Sequence, residues 1–356
     1  MSFHIEAITV LLNGLQQGAI YILLAVGLSI ILGTLKFVNF AHGALYLIGT
    51  YAGLLLALEI NLTSGLLQEW GFGQLGLGLG YIPALIIVPF VVFVVGLAME
   101  RFVVEPFKDR PDTDQILVTF GLAIIVQELF RAFFGSSSLP FSQPAWAQGP
   151  PQVPFLTAIP ISSWRYYVIG ITAVLVLIVY LLVEFTDFGL VVRAGTRDPE
   201  MVELLGIRLS RPYIVVFGIG AALAGVAGVV GGPLNPVNPT IGNEILVPAF
   251  LTVVIGGVGS IAGAVLGGVL FGLTQAILVA TYSAWAQVGL YAIAAIVLLV
   301  RPQGLLGEAE NPIEEAAWYT VFDSSTVRTS DIPALIDRTN AGERAVVEAL
   351  PGVRLD

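Results

Sequence analysis

RAGTRDPEMVELLGIRLSR, residues Arg193–Arg211, carries seven charged residues in a chain of 356 in which only 11% are charged. Long apolar runs flank it, Tyr166–Val183 before and Tyr213–Val230 after. A charged stretch held between two membrane spans must sit in water at one face of a bilayer. Its order of residues also predicts a folded element. Asp198 suits a helix N-cap, Pro199 the first turn and Gly206 the end. Glu200 and Glu203 load the N-terminal half with negative charge, as the helix dipole favours. Met201, Leu204 and Leu205 gather on one side at helical spacing. The stretch therefore predicts a short amphipathic helix over 199–205, held outside the membrane with an apolar face free to dock. A solvated connecting loop is the alternative reading.

Composition places this loop in a membrane protein. The chain is 56% hydrophobic, with a mean hydropathy of +0.90. Apolar runs of about 20 residues recur along the first 300 positions without the alternation of a transmembrane β-barrel. The expected fold is all-α: a polytopic integral membrane helical bundle of about eight hydrophobic segments, with roughly seven to nine crossings and room for re-entrant half-helices. The run Ile8–Leu35 is too long for a signal-peptide core and reads as a retained span. Residues 1–301 form the expected membrane domain. From residue 302 onward ten acids face four arginines, so 302–356 reads as an acidic tail with weak order. There is no cysteine, and the two histidines, His4 and His42, leave little for a metal site. The net charge of −10 argues against nucleic acid as a partner.

Taken in order, the first span ends at Lys36, and Asn39-Phe40-Ala41-His42-Gly43 opens a second apolar run to about Leu58. Ile82–Met99 and Ile116–Phe134 are the third and fourth spans; the fifth and sixth flank the charged stretch. The remaining apolar stretch, Ile245–Val300, is divided by Gly256-Gly257-Val258-Gly259-Ser260 and by Thr281–Ala284. Its first piece is short for a span and reads as a half-helix that enters the bilayer and turns back. Lys36, the 101–110 loop, the 193–211 loop and Arg301 fall on one face, assigned as cytoplasmic by the distribution of basic residues. This orientation places the N-terminus outside and the tail inside.

Small residues repeat every four positions at Gly259, Gly263 and Gly267 and at Gly268 and Gly272, a pattern that lets helices approach closely. The glycines at 256–259 also suggest a break at membrane depth that exposes backbone to a polar pathway. Asn39 and His42 read either as helix-end caps or as polar groups facing such a pathway. No Walker phosphate loop, nucleophile–base pair or metal cluster is present, and no relay of buried acids. The chain is read as a non-enzyme.

Several segments together resemble the permease subunits of branched-chain amino acid ABC transporters. They are Gly14–Leu32 followed by Val38–Gly43; Arg193–Pro199 with Leu204–Ile207; Asn235-Pro236 through Ile241-Gly242; Val254–Ala264; and Leu299–Gly307. The likeness covers roughly residues 8–307. It implies a multi-pass permease of the cytoplasmic (inner) membrane that moves branched-chain amino acids inward. It implies a second permease subunit or a homodimer, two cytoplasmic ATP-binding subunits that use ATP and Mg, and an extracellular substrate-binding protein; this chain binds no cofactor itself. The 193–211 loop then resembles the cytoplasmic coupling element, carried by Asp198, Pro199, Glu200, Met201, Glu203, Leu204, Leu205 and Gly206. Asn39, His42, Asn235, Asn238, Gly256, Gly257, Gly259 and Ser260 are the expected pathway residues. The acidic tail departs from the family pattern. A urea or short-chain amide importer shares the motifs, and an ion-coupled transporter or channel acting alone is the alternative from a different class.

Overall fold

The computed structural model describes residues 3–108, 110–150 and 162–307. The acidic tail from Glu308, with the weak order expected of it, lies outside the described residues. Two central helices carry the bundle. These are α1 (Phe3–Leu35) and, far along the chain, α9 (Ser210–Gly231). Between them lie α2 (His42–Ala57), the short α3 (Leu66–Glu69), α4 (Tyr81–Met99), α5 (Asp112–Phe134), α6 (Trp164–Phe185), α7 (Asp187–Arg197) and α8 (Pro199–Leu204). After α9 come α10 (Ile241–Gly256), α11 (Ile261–Tyr282) and α12 (Ala286–Val300). A two-stranded ribbon, β1 (Ile60–Asn61) and β2 (Gln74–Leu75), pairs Ile60 with Leu75 in the loop after α2.

The small residues set how close these helices come. A Cβ on Gly27 would lie 2.7 Å from the Gly220 carbonyl, and Gly231 sits over Ile20, so α1 and α9 run antiparallel in near backbone contact. Gly18 meets Gly268 and Gly33 meets Gly259, which lays α11 antiparallel on α1. Gly96 meets Ala221, and Gly225 meets Val92, which lays α4 antiparallel on α9. The glycine stripes read from the sequence are thus the helix contacts themselves. Bulkier residues would hold the axes apart, and in lipid close packing is the chief source of helix association.

The second half of the bundle repeats the first in the opposite sense. As α1 packs on α11, so α9 packs on α4. As α2 sits against α4 and α9, so α10 sits against α11 and α1; α5 flanks α2 as α12 flanks α10. The two halves form an inverted repeat around α2 and α10, which meet at their N-termini. There Gly43 and Gly242 each face the other's carbonyl. From this junction α2 runs to the face bearing the 59–80 loop. α10 runs to the opposite face, where its end lies beside Gly33 and Gly259.

Both are half-helices that start inside the bundle. Phe40, just before α2, donates its N–H to Thr119 Oγ1 at 3.1 Å. Thr119 lies seven residues past the start of α5, about 10 Å along it. Asn243 Nδ2 donates to Gln127 Oε1 at 2.6 Å, about 22 Å along the same helix. The chain reaches each start as non-helical backbone, at 36–41 and at 235–240. This corrects two readings. The run opened by Asn39–Gly43 is not a full helical span. The piece before the glycines begins at Ile241 and does not turn back, because the segment before it completes the crossing. Read this way, the described chain crosses nine times, at the top of the expected range.

The boundary after residue 301 also moves. Pro302–Gly307 belongs to the membrane unit, which extends to Gly307. Leu305 and Leu306 donate their N–H groups to the carbonyls of Ile255 (2.7 Å) and Gly256 (2.9 Å).

If the junction depends on backbone approach, a side chain at Gly43 has no room. Gly43→Val should lower the melting temperature of the purified protein by the equivalent of about 1–3 kcal/mol, the usual cost of overpacking. Gly121, with nothing within 4 Å of an added Cβ, is the control; Gly121→Val should change stability by less than about 0.5 kcal/mol. Equal melting of the two variants would contradict the junction.

Candidate functional site

Two regions hold the residues expected to matter. The first is the charged stretch. α7 follows α6 with one residue between them, Thr186, whose side chain accepts from the Gly189 N–H at 3.2 Å. Arg193 reaches back to the Val183 carbonyl and pairs with Glu184 at 3.1 Å. Gly195 lies against Leu209 and Tyr213, fixing α7 to the start of α9. α8 then opens as its residues predict. Asp198 Oδ1 accepts from the Met201 N–H at 2.9 Å, Pro199 occupies the first turn, and Gly206 ends the helix at φ +82°. Gly206 and Ile207 return their N–H groups to the carbonyls of Glu203 and Val202.

The burial of α8 is asymmetric. Val202 is 6% exposed and anchors the helix, whereas Met201, Leu204 and Leu205 are 54%, 76% and 73% exposed. Glu200 and Glu203 are exposed beside them. Three large apolar side chains in water on a capped, anchored helix make a surface that burial in a partner would stabilise. Asp198, Pro199, Glu200, Met201, Glu203, Leu204, Leu205 and Gly206 thus lie together on one short protrusion. α7 was missing from the sequence reading. Its signal was present in Thr186-Asp187, a capping pair hidden by the end of the apolar run.

The second region is the junction of the half-helices. Asn39 and Asn238 occupy equivalent places. Asn39 Oδ1 accepts from the Ala41 N–H at 3.0 Å, and Asn238 Oδ1 from the Thr240 N–H at 2.9 Å. Each asparagine thereby turns extended backbone into the first turn of a helix. Asn39 Nδ2 is buried without a hydrogen-bond partner, and the His42 ring is fully buried against the Leu24 backbone. A buried polar atom without a partner is costly, and such atoms concentrate where a molecule has functional demands. The two helix N-termini also bring the positive ends of two dipoles together inside the membrane.

The structure separates the other expected pathway residues. Asn235 is exposed in a cleft of about 440 Å³ between residues 138–142 and 233–236. Gly256, Gly257, Gly259 and Ser260 lie at the far end of α10. Gly256 and Gly257 are buried, with the Gly256 carbonyl taken by Leu306, and Ser260 Oγ caps α11 by accepting from the Gly263 N–H at 2.9 Å. That break is between two helices, level with the end of α1; the backbone of Gly256, Gly257 and Ser260 is hydrogen-bonded, and Val258 and Gly259 are exposed. Asn39 and His42 lie buried at the junction, whereas Asn238 sits next to Val237, whose backbone pairs with Leu139 in the loop after α5. Sequence reasoning missed Asn243 and Glu244, at the start of α10. The equal spacing of Asn39-x-x-x-Gly43 and Asn238-x-x-x-Gly242 was the signal that could have found this region.

Comparison with known proteins places this arrangement. Residues 10–300 match the family model described as the branched-chain amino acid transport system / permease component. The high-affinity branched-chain amino acid transport system permease protein LivH of Salmonella typhimurium is 30% identical over 303 residues, covering 84% of this chain and 94% of that protein. BraD of Pseudomonas aeruginosa, a permease protein of the same description, is 29% identical over 316 residues, covering 84% and 95%. A probable branched-chain amino acid transport permease protein LivH from Methanocaldococcus jannaschii is 27% identical over 263 residues, covering 72% and 76%. No solved structure gives a significant match. With nearly all of the bundle matched from α1 to α12, the chain belongs to the family of branched-chain amino acid transport system permease components.

Proposed function

We propose that this chain is the permease subunit of an ABC importer of branched-chain amino acids, multi-pass in the cytoplasmic membrane. In this reading the N-terminus lies outside and the 193–211 loop inside. ATP with Mg is hydrolysed by two partner subunits in the cytoplasm. A second permease completes the pathway, and an external binding protein delivers cargo. The observation that carries the reading is α8, capped at both ends, anchored by Val202 and open on its apolar side. An ATPase cleft that closes on α8 moves α7 with it, because Arg193, Gly195 and Val202 tie both to the bundle. α7 packs on α1, α6 and α9. The displacement therefore reaches the two helices against which the half-helices rest.

An ion-coupled transporter would need acids in its interior. Among the described residues Glu100 is the single buried charged side chain, which favours the ATP-driven reading. A urea or amide importer remains the runner-up for the cargo.

Four outcomes follow, two for the reconstituted complex and two for cells. Leu204→Asp places a charge in a desolvated contact, where an unpaired charge costs about 3–5 kcal/mol, and should abolish both ATPase co-purification and substrate-stimulated ATP hydrolysis. Glu203→Gln, on the exposed side, should cost less than about 1 kcal/mol and keep most of each activity. In this cysteine-free chain, single cysteines at Gly73 and Asn238 should label from outside intact cells, and Thr196→Cys should not; labelling of the last would reverse the orientation. Cells lacking the gene should lose uptake of labelled leucine, whereas loss of urea uptake alone would select the amide cargo.

A further inference from the structure

We infer that the seam between α5 and α10 faces the water-filled translocation route and receives a zwitterionic amino acid with an apolar side chain. The inference rests on the importer reading and assigns that route a wall and a binding position.

Depth is the first argument. Glu244 lies twelve residues before the end of α10, about 18 Å along the helix, in a hydrocarbon layer about 30 Å thick. It is exposed, among the described residues its carboxylate accepts one hydrogen bond, from Thr240 Oγ1 at 2.6 Å, and none of the ion pairs among them includes it. Beside it Asn243 and Gln127 are hydrogen-bonded to each other across the seam. Glu128 pairs with Arg131 one turn further along α5. A carboxylate facing acyl chains at this depth costs about 2.5–3.5 kcal/mol even on insertion scales. The outward faces of α4, α6 and α12 carry no charged residue between their ends. The polar strip on α5 and α10 therefore marks a face in contact with water.

Chemistry is the second argument. Phe40 stacks on Phe250 with centroids 5.9 Å apart and meets Phe120 edge-on at 6.5 Å. These rings lie seven residues from Gln127 along α5 and from Asn243 along α10, about 10 Å in each case, so the seam has an apolar stretch and a polar stretch. Asn39, next to Phe40 in the chain, keeps a buried amide nitrogen without a partner. Glu244 offers a carboxylate to an ammonium group, and the rings offer apolar surface to an aliphatic side chain. A carboxylate on the cargo finds amide donors and the positive end of the α10 dipole. A neutral amide such as urea would use the polar stretch and leave the rings idle.

The absence of native cysteine makes the test direct. Glu244→Cys and Val247→Cys sit on the seam, and Leu177→Cys on the apolar outward face of α6 is the control; Val247 and Leu177 are 50% and 55% exposed. Each is treated, as the assembled importer in membrane vesicles, with a membrane-impermeant sulfonate-bearing thiosulfonate reagent. Leucine uptake by the unmodified parent is measured in parallel. Both seam cysteines should react at least about tenfold faster than Leu177→Cys, because thiolate forms in water and not in lipid. Saturating leucine should slow their reaction several-fold. Seam cysteines as inert as Leu177→Cys, in vesicles whose parent imports leucine, would overturn the proposal and leave the importer reading standing. Fast labelling slowed by urea and not by leucine would overturn the proposed occupant. Fast labelling that neither solute slows would overturn the binding position.

Discussion

Everything in this bundle depends on satisfying the backbone of two helices that begin inside the membrane. A broken helix leaves N–H groups at one end and carbonyls at the other, and lipid supplies no partner for either. The chain meets this need from within. Asn39 and Asn238 bond the entering backbone. At the far end of α2, Leu77, Leu79 and Gly80 donate to the carbonyls of Leu55, Leu56 and Ala57. At the far end of α10, Leu305 and Leu306 play the same part for Ile255 and Gly256. The Gly-rich loop 59–80 and the segment after α12 are thus caps supplied from elsewhere in the chain.

That solution also explains the glycines. Caps can be borrowed only if segments distant in sequence come within hydrogen-bonding distance, and the half-helices can meet only if nothing stands between Gly43 and Gly242. α1 and α9 form the close-packed frame on which both half-helices rest, and α7 and α8 extend that frame into water. A push on α8 therefore arrives at rigid, antiparallel helices, not at a flexible loop.

Legibility in the sequence followed how local each signal is. α8 was readable to within one residue because its cap, first turn and stop all lie inside it. The half-helix nature of α10 was readable from the glycines that follow it, but its start was placed late because Ile241–Glu244 mixes polar and apolar residues. α2 passed for an ordinary span because Phe40 and Ala41 keep the run apolar while the backbone is still non-helical. The expectation that Gly256–Ser260 exposes backbone failed to anticipate caps that arrive from residues 305 and 306. Asn243 and Glu244 went unnoticed because their depth follows only from where α10 begins.

The depth of the half-helix start is measured most directly by cross-linking in native membranes. Phe40 and Phe120 lie 6.5 Å apart between ring centroids, whereas Thr113 sits seven residues earlier on α5, about 10 Å nearer the Lys36 face. In the cysteine-free chain, Phe40→Cys paired with Phe120→Cys should form a disulfide in high yield, and paired with Thr113→Cys it should not. A bond to Thr113→Cys without one to Phe120→Cys would place the start of α2 at the membrane face and contradict the account.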